Sequence, residues 1–326
     1  MAEPFIFKKE QLTPANLEGF LSTRQFIALD LYDCLDYLPK AERDKVQERM
    51  LGHLCMQNGT LKYTHARRFD NFDRLALSTI AASFPTGQNI RVHDIGVSDG
   101  RTSCDLYRQL NDLYGDRLDF LASDQTPYLY VLKKKHSSRR LIIDDQDHIL
   151  QIVMPPLVFN IVRRTESLGL FSLYRLIRSL APITNFYTKP LLKAYKAGRP
   201  DIECTRLELL CRECRACSAE RTTFRFERYD VLSGPTSHFD AIRVMNVLNY
   251  CYFPEAQLRR AVKNVVESLN EGGLFITGSN TEQGTIVDGG IYKKEGDHME
   301  RLEASGKGSQ IDALIVPPSP GVPGRV

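Results

Sequence analysis

Three features of this 326-residue chain predict an α/β fold whose mostly parallel sheet is covered by helices on both faces. From residue 90 onward, short β-type runs alternate with helical stretches, the pattern that builds parallel sheets. The run Val92-His93-Asp94-Ile95-Gly96-Val97-Ser98-Asp99-Gly100-Arg101-Thr102-Ser103 sets two glycines, four apart, between a strand and a helix. The stretch from Gly289 to Val316 reads as a closing antiparallel pair.

The elements follow in order. Residues 1–88 read as an N-terminal helical cap, because apolar positions recur at three and four in "TPANLEGFLSTRQFIALDLYDCLDYL", "KAERDKVQERMLGHLCMQ" and "RRFDNFDRLALSTIAASF". Pro85-Thr86-Gly87 closes that part. Residues 89–316 form the core: strands at "NIRVHDIG", "LDFLASD", "FRFERYDVL", "FDAIRVMNVL" and "LFITGSN", with helices at "TSCDLYRQLNDLYG" and "PEAQLRRAVKNVVESLNEGG". In the last helix Leu258, Ala261, Val262, Val265 and Leu269 make an apolar stripe, and Gly272-Gly273 is expected to stop it. A largely helical insertion is expected at about 136–221, and residues 317–326 read as a loose tail.

Composition bounds the function class. With 42% hydrophobic and 25% charged residues and a net charge of +3, the chain is ordinary globular material. So small a net charge points by itself neither to nucleic acid nor to a membrane, and no nucleic-acid partner is expected. The N-terminus lacks a basic and apolar leader pattern, and no apolar run reaches the roughly 18–20 residues of a membrane span, so a cytoplasmic location is expected. The eight cysteines read as free thiols rather than a disulfide framework.

In open α/β sheets, ligands sit beyond the carboxyl ends of the strands, at the turn into the first helix. Glycines there accept φ > 0 and let backbone approach a ligand. The turn lacks the G-x-G-x-x-G of diphosphate cradles and the chain lacks G-x-x-x-x-G-K-[ST], which counts against other nucleotide-using enzymes. Asp94 precedes the glycines, and a carboxylate there suits a cationic ligand better than a diphosphate. Asp124 ends the second strand, where an acid can hold both ribose hydroxyls. Asp230 ends the third run, and Asn246 and Tyr250 follow the fourth.

In this order the elements resemble the class I S-adenosylmethionine-dependent methyltransferases. "VHDIGVSDG" is similar to their first motif, Asp124 to the acidic end of their second strand, and "YDVL" to their adenine-side motif. "FDAIRVMNVLNYCYFPEAQLRRAVKNVVESLNEGGLFITGSN" is similar to the CheR-type, chemotaxis-receptor branch. The resemblance covers roughly residues 90–135 and 222–282. It implies a Rossmann-like seven-stranded sheet with an antiparallel last hairpin, and S-adenosylmethionine as cofactor. It further implies Asp94, Gly96 and Gly100 against the methionine part, Asp124 on the ribose, Asp230 with Val231 at the adenine, and Asn246 with Val247 beside the sulfonium. Met245 replaces the arginine of the branch and His93 its usual apolar residue. The first 85 residues lack its basic receptor-binding helices, so a glutamyl-receptor substrate does not carry over.

Asp124 and Phe224 are separated by a segment of 99 residues, where a crossover of a few tens would suffice. From Lys133 to Arg199 it holds thirteen Lys and Arg against four Asp and Glu. Two readings stand: a lid with solvated charges, or a basic amphipathic surface that makes peripheral contact with an anionic membrane. Cys204, Cys211, Cys214 and Cys217 form a C-x2-C-x2-C run. Helical spacing favours core packing over a metal site, and no metal is expected. Methyl transfer to a hydroxyl or amine needs a proton acceptor, whereas a carboxylate needs none. Tyr250 and His238, and further Glu282, Tyr63, Arg67 and Arg68, are candidates for that role or for substrate positioning. The acceptor is expected to be a small or amphiphilic molecule. The alternative is a regulatory protein that binds the cofactor without turnover.

Overall fold

The computed structural model describes residues 5–22, 26–52, 54, 56, 62, 67–161, 181–280 and 286–316. The N-terminal stretch holds β1 (Phe5–Ile6), α1 (Pro14–Ser22), β2 (Phe26–Ile27), a 3-10 turn at Leu29–Leu35 and α2 (Lys40–Gly52). Then come α3 (Asp70–Ser83), β3 (Ile90–Ile95), α4 (Arg101–Tyr114) and β4 (Leu118–Asp124). Next follow β5 (Tyr128–Lys134), β6 (Arg140–Ile143), β7 (Ile149–Met154), β8 (Leu157–Asn160), α5 (Ala181–Lys196) and β9 (Ile202–Glu208). The described chain continues through α6 (Arg212–Glu220), β10 (Phe224–Arg228), β11 (Phe239–Met245) and α7 (Glu255–Glu267). It closes with β12 (Leu269–Asn280), β13 (Val287–Glu295), β14 (His298–Ser305) and the short α8 (Asp312–Ile315).

These elements fall into two units. One joins Met1–Thr64 to Tyr128–Leu209, and the other joins His65–Pro127 to Leu210–Val326. The expected boundary at residue 88 therefore moves: α3 goes with the core, while the rest of the N-terminal stretch folds with the insertion.

The second unit carries a seven-stranded sheet in the order β10-β4-β3-β11-β12-β13-β14. The first five strands are parallel, and β13 is antiparallel to both β12 and β14. This is the Rossmann-like, mostly parallel sheet with an antiparallel close that the sequence implied. One face packs on α3, α4 and α6 through Phe72, Ile80, Tyr107, Cys214, Phe120 and Ala241. The other packs on α7 and α8 through Leu258, Val262, Ile242, Val244, Phe275 and Ile315. Gly272-Gly273 does not stop α7. The helix ends at Glu267, and the pair lies inside β12, where Gly272 takes φ +74° at a register shift against β11.

The first unit corrects the expected helical insertion. Its framework is a five-stranded antiparallel sheet, β8-β7-β6-β5-β9. Runs such as Tyr128–Lys134 and Ile149–Met154 are short, β-branched and aromatic, and they alternate between two buried faces. Leu129, Val131, Ile142 and Val153 pack with Ile6, Phe20, Tyr32 and Met50 of the N-terminal stretch. Leu132, Leu141 and Ile152 pack with Leu191 of α5. Gln151 ties the two segments: its Oε1 accepts from Leu29 N (2.7 Å) and its Nε2 donates to Ile27 O (3.1 Å). Arg140 Nε pairs with Asp30 at 2.7 Å. Much of the expected basic amphipathic stretch, residues 162–180, lies outside the described residues, as does the expected tail at 317–326.

Candidate functional site at the carboxyl ends of the parallel strands

The strand order reverses between β3 and β11, which pair directly with Val244 beside Ile95. Ligands of open α/β sheets sit at such a switch point, beyond the carboxyl ends. The loop leaving β3 is folded back by three residues in the left-handed region, Gly96 (φ +76°), Ser98 (+59°) and Gly100 (+78°). Gly96 N and Val97 N both donate to Ser123 O, at 2.8 and 3.1 Å, so the turn is stitched to the end of β4. A Cβ on Gly96 would overlap Val247 Cγ2, and one on Gly100 would overlap Cys214 Sγ. Both glycines are thus required by packing as well as by φ.

Asp124 closes β4 and is buried. Its Oδ2 accepts from Ser98 N (2.8 Å) and its Oδ1 from Thr126 N (2.9 Å). Its carboxylate thus stands at the tip of β4, the place where an acid can hold ribose hydroxyls. Asp230 follows β10 by two residues, with Oδ1 accepting from Leu232 N (2.9 Å) and Oδ2 from Gln125 Nε2 (3.2 Å). Gln125, which the sequence reading missed, thereby bridges the tips of β4 and β10. Val231 is buried behind Asp230, its carbonyl accepting from Asn264 Nδ2 of α7 at 2.8 Å. Asp124, Asp230 and Asn246 all sit at one end of the sheet.

Asp94 is corrected. Its carboxylate is 2% exposed and accepts from Arg243 Nη1 (2.8 Å) and Ser103 Oγ (2.6 Å). Arg243 reaches on to Asp73 of α3 at 2.9 Å and lies over the Phe69 ring at 5.0 Å. The charge read as inviting a cationic ligand is thus met by a buried guanidinium one strand away. Burial pushes the Asp73 carboxyl up to about 6, against the pull of Arg243. The paired acids in turn hold the Arg243 guanidinium above its usual value despite its burial. A second buried pair lies in the turn itself, Arg101 Nε on Asp99 Oδ2 at 2.8 Å.

His93 points to the opposite face, between Tyr229 and Phe239 at ring separations of 5.1 and 4.7 Å. Its Nε2 meets Ser123 Oγ at 2.8 Å. Burial, helped by the charge of Arg225, lowers its pKa to about 3, so the ring is neutral.

Asn246, just past β11, adopts φ +60°. Its Oδ1 accepts from Asn280 N (2.8 Å), its Nδ2 donates to Asn280 Oδ1 (3.1 Å), and Asn280 Nδ2 donates to Arg68 O (3.0 Å). The tips of β11 and β12 and the approach to α3 are thereby locked together. Asn280 was missed because one asparagine after a strand reads as a turn residue. Val247, half-buried, packs over Gly96. Tyr250 is 49% exposed, in the loop that Asn249 Oδ1 caps by accepting from Cys251 N and Tyr252 N.

His238 does not belong to the site. It is exposed and immediately precedes β11, at the amino end of that strand. At about 3.3 Å per residue this puts it roughly 20 Å of strand away from the tips. Arg67 is exposed, and Arg68 is buried with its guanidinium over Phe69 at 4.6 Å. Tyr63 and Glu282 lie outside the described residues.

The expected thiol helix is shorter than its spacing suggested. Leu207 lies on β9 and Cys211 caps α6, whose Cys214 and Cys217 pack against Cys104 of α4. Among the described residues, no group of three or more His, Cys, Asp or Glu is placed to hold a metal ion.

Several solved methyltransferase structures are similar to this chain in fold. N-methyltransferase NodS from Bradyrhizobium japonicum WM9, in complex with S-adenosyl-L-homocysteine, is 15% identical over 64% of this chain and 61% of its own, with a TM-score of 0.28. An S-adenosylmethionine-dependent methyltransferase from Mesorhizobium loti is 15% identical over 62% of this chain and 52% of its own, at 0.25. The CMeT domain of the citrinin polyketide synthase is 12% identical over 76% of this chain and 41% of its own, at 0.32. This chain therefore spans less than two thirds of the length of each. No protein-family model and no curated protein matches the sequence. None of these likenesses singles out the CheR-type branch.

Proposed function

We propose that the second unit binds S-adenosylmethionine and transfers its methyl group to a small or amphiphilic acceptor. The reading rests on one observation: at the switch point of a 3-2-1-4-5 parallel sheet, a turn with three left-handed residues adjoins the buried carboxylate of Asp124, which accepts from Ser98 N and Thr126 N. Asp124 would hold the ribose, Asp230 with Val231 would border the adenine, and Gly96, Gly100, Asn246 and Val247 would line the methionine and sulfonium side. The cofactor supplies a methyl group on a good leaving group, so the protein's part is alignment and exclusion of water. Asn246, fixed by Asn280, is a rigid wall for that alignment. Asp94 keeps the turn in place through Arg243 rather than touching ligand. Tyr250 is the remaining candidate for the acceptor side.

Titration calorimetry with S-adenosylmethionine and S-adenosyl-L-homocysteine, beside NAD and ATP, tests the reading. Binding of the first pair alone supports it, and preference for NAD or ATP overturns it.

A second reading, docking of the first unit on an anionic lipid surface, draws on α5. That helix has no acidic residue; its Phe186 is 85% exposed, and Lys189 and Lys193 are exposed one and two turns on. Arg139 lies over the neighbouring Tyr187 ring at 5.6 Å and adds a further cation. An exposed aromatic flanked by cations suits a membrane interface.

A further inference from the structure

Behind the glycine turn, α4 and α6 pack through sulfur. Cys104 Sγ and Cys217 Sγ are 3.6 Å apart. Cys104 is buried, and Cys217 is half-buried at the solvent side of the pair. We propose that Cys104 and Cys217 are a peroxide-sensitive modification site that closes to a disulfide and loosens the turn at Gly96–Gly100. To bond, the two sulfurs must close from this 3.6 Å contact to the ~2.05 Å of an S–S bond, a movement that draws α6 and α4 together. Cys217 is the entry point because peroxide reaches it. Its sulfur attacks the peroxide, the O–O bond breaks, a sulfenic acid forms and water leaves. Cys104 then attacks that sulfur; the S–S bond forms, the S–O bond breaks, and the departing oxygen leaves as water with the thiol proton. Two thiols are oxidised and one peroxide is reduced to two waters. Hydrogen bonding with Cys214 and Cys217 holds the Cys104 thiol below its ordinary range, while the shared contact and burial hold Cys217 above it. Cys104 thus carries the thiolate character of the resolving step, and Cys217 enters by its exposure.

The link to the turn is direct. Cys214, one helical turn before Cys217, fills the space a Gly100 side chain would need. Cys211 N donates to Asp99 O at 2.9 Å. Any shift of α6 toward Cys104 therefore acts on Asp99 and Gly100. The loss of nucleoside binding expected from this rests on the cofactor reading above; the disulfide itself does not.

The experiment treats the full chain with hydrogen peroxide, alkylates the remaining thiols and maps cross-linked peptides. In parallel, S-adenosyl-L-homocysteine is titrated into reduced and oxidised protein. The expected result is a Cys104–Cys217 cross-link that dithiothreitol reverses, absent in Cys217→Ser and in Cys104→Ala. Affinity should fall at least tenfold on oxidation of the natural chain and not in Cys217→Ser. Cross-links confined to other cysteines, or sulfinic acid without any cross-link, would overturn the disulfide. A Cys104–Cys217 cross-link with unchanged affinity would overturn the coupling. If reduced protein binds no S-adenosyl-L-homocysteine while the cross-link forms, the cofactor reading fails and the modification site stands.

Discussion

Arg243 Nη1 lies 2.8 Å from Asp94 Oδ2, linking two residues that face each other across the β11/β3 pair and are both almost wholly buried. With Asp73 on the far side of the guanidinium, the three side chains clamp α3 to the sheet directly beneath the turn that Asp94 leads into. Breaking such a buried pair from one side leaves a bare charge, at a cost of about 3–5 kcal/mol. Arg243→Met is therefore expected to destabilise by that order in urea unfolding, and Asp94→Asn, which keeps a hydrogen-bond acceptor, by much less. Equal losses would show that the clamp is not charge-based.

Two buried groups give opposite pH dependences. The folded pKa of His93, about 3, lies below its ordinary 6.5, so its contribution is full above 6.5 and is lost as pH falls. The folded pKa of Asp73, about 6, lies above its ordinary 3.8, so its contribution is full below 3.8 and is lost as pH rises through 6. Between these limits the two oppose each other. Unfolding measured from pH 7 down to about 4 should show the gap between the natural chain and His93→Gln narrowing, by about 2 kcal/mol near pH 5. The gap to Asp73→Asn should widen over the same range. Parallel curves for all three proteins would refute both assignments.

Gly100 is required by both conformation and space. Gly100→Ala meets φ +78° and the sulfur of Cys214, and should cost about 2 kcal/mol or more. Cys214→Ala removes the sulfur but not the φ penalty, so the double variant should recover part of the loss. A double-mutant cycle without coupling would contradict the packing.

Asp124→Ala should weaken S-adenosyl-L-homocysteine binding by at least tenfold in titration calorimetry. His238→Ala, at the other end of β11, should leave it unchanged. Unaltered affinity in the Asp124 variant would remove the ribose assignment.

For the lipid reading, sedimentation with phosphatidylglycerol-containing vesicles should exceed that with phosphatidylcholine alone. Phe186→Ala or Lys189→Glu should reduce it several-fold. Equal sedimentation with neutral vesicles would leave α5 without this role.

The glycine turn, the strand-tip acids and the apolar stripe of α7 were legible because each is a local pattern: a backbone requirement, a terminus or a period. The antiparallel sheet of the first unit was not, because short runs such as Leu157–Asn160 and Arg140–Ile143 are buried by partners distant in the chain. Apolar residues so placed satisfy helix and strand spacing alike. His238 directly precedes the strand that begins at Phe239, so chain order already put it at the amino end, away from the tips; its residue type alone made it a candidate.

By itself, then, the sequence determined the parallel α/β core, the place of its turn, and the acids at Asp124 and Asp230, since hydrophobic period and glycine conformation act over a few residues. Tertiary structure alone decided that Arg243 takes up the charge of Asp94, that Asn280 holds Asn246, and that the N-terminal stretch and the insertion share one core. Those outcomes depend on which side chains meet across strands and units of chain far apart in order, where burial makes each unpaired polar group costly and so selects its partner.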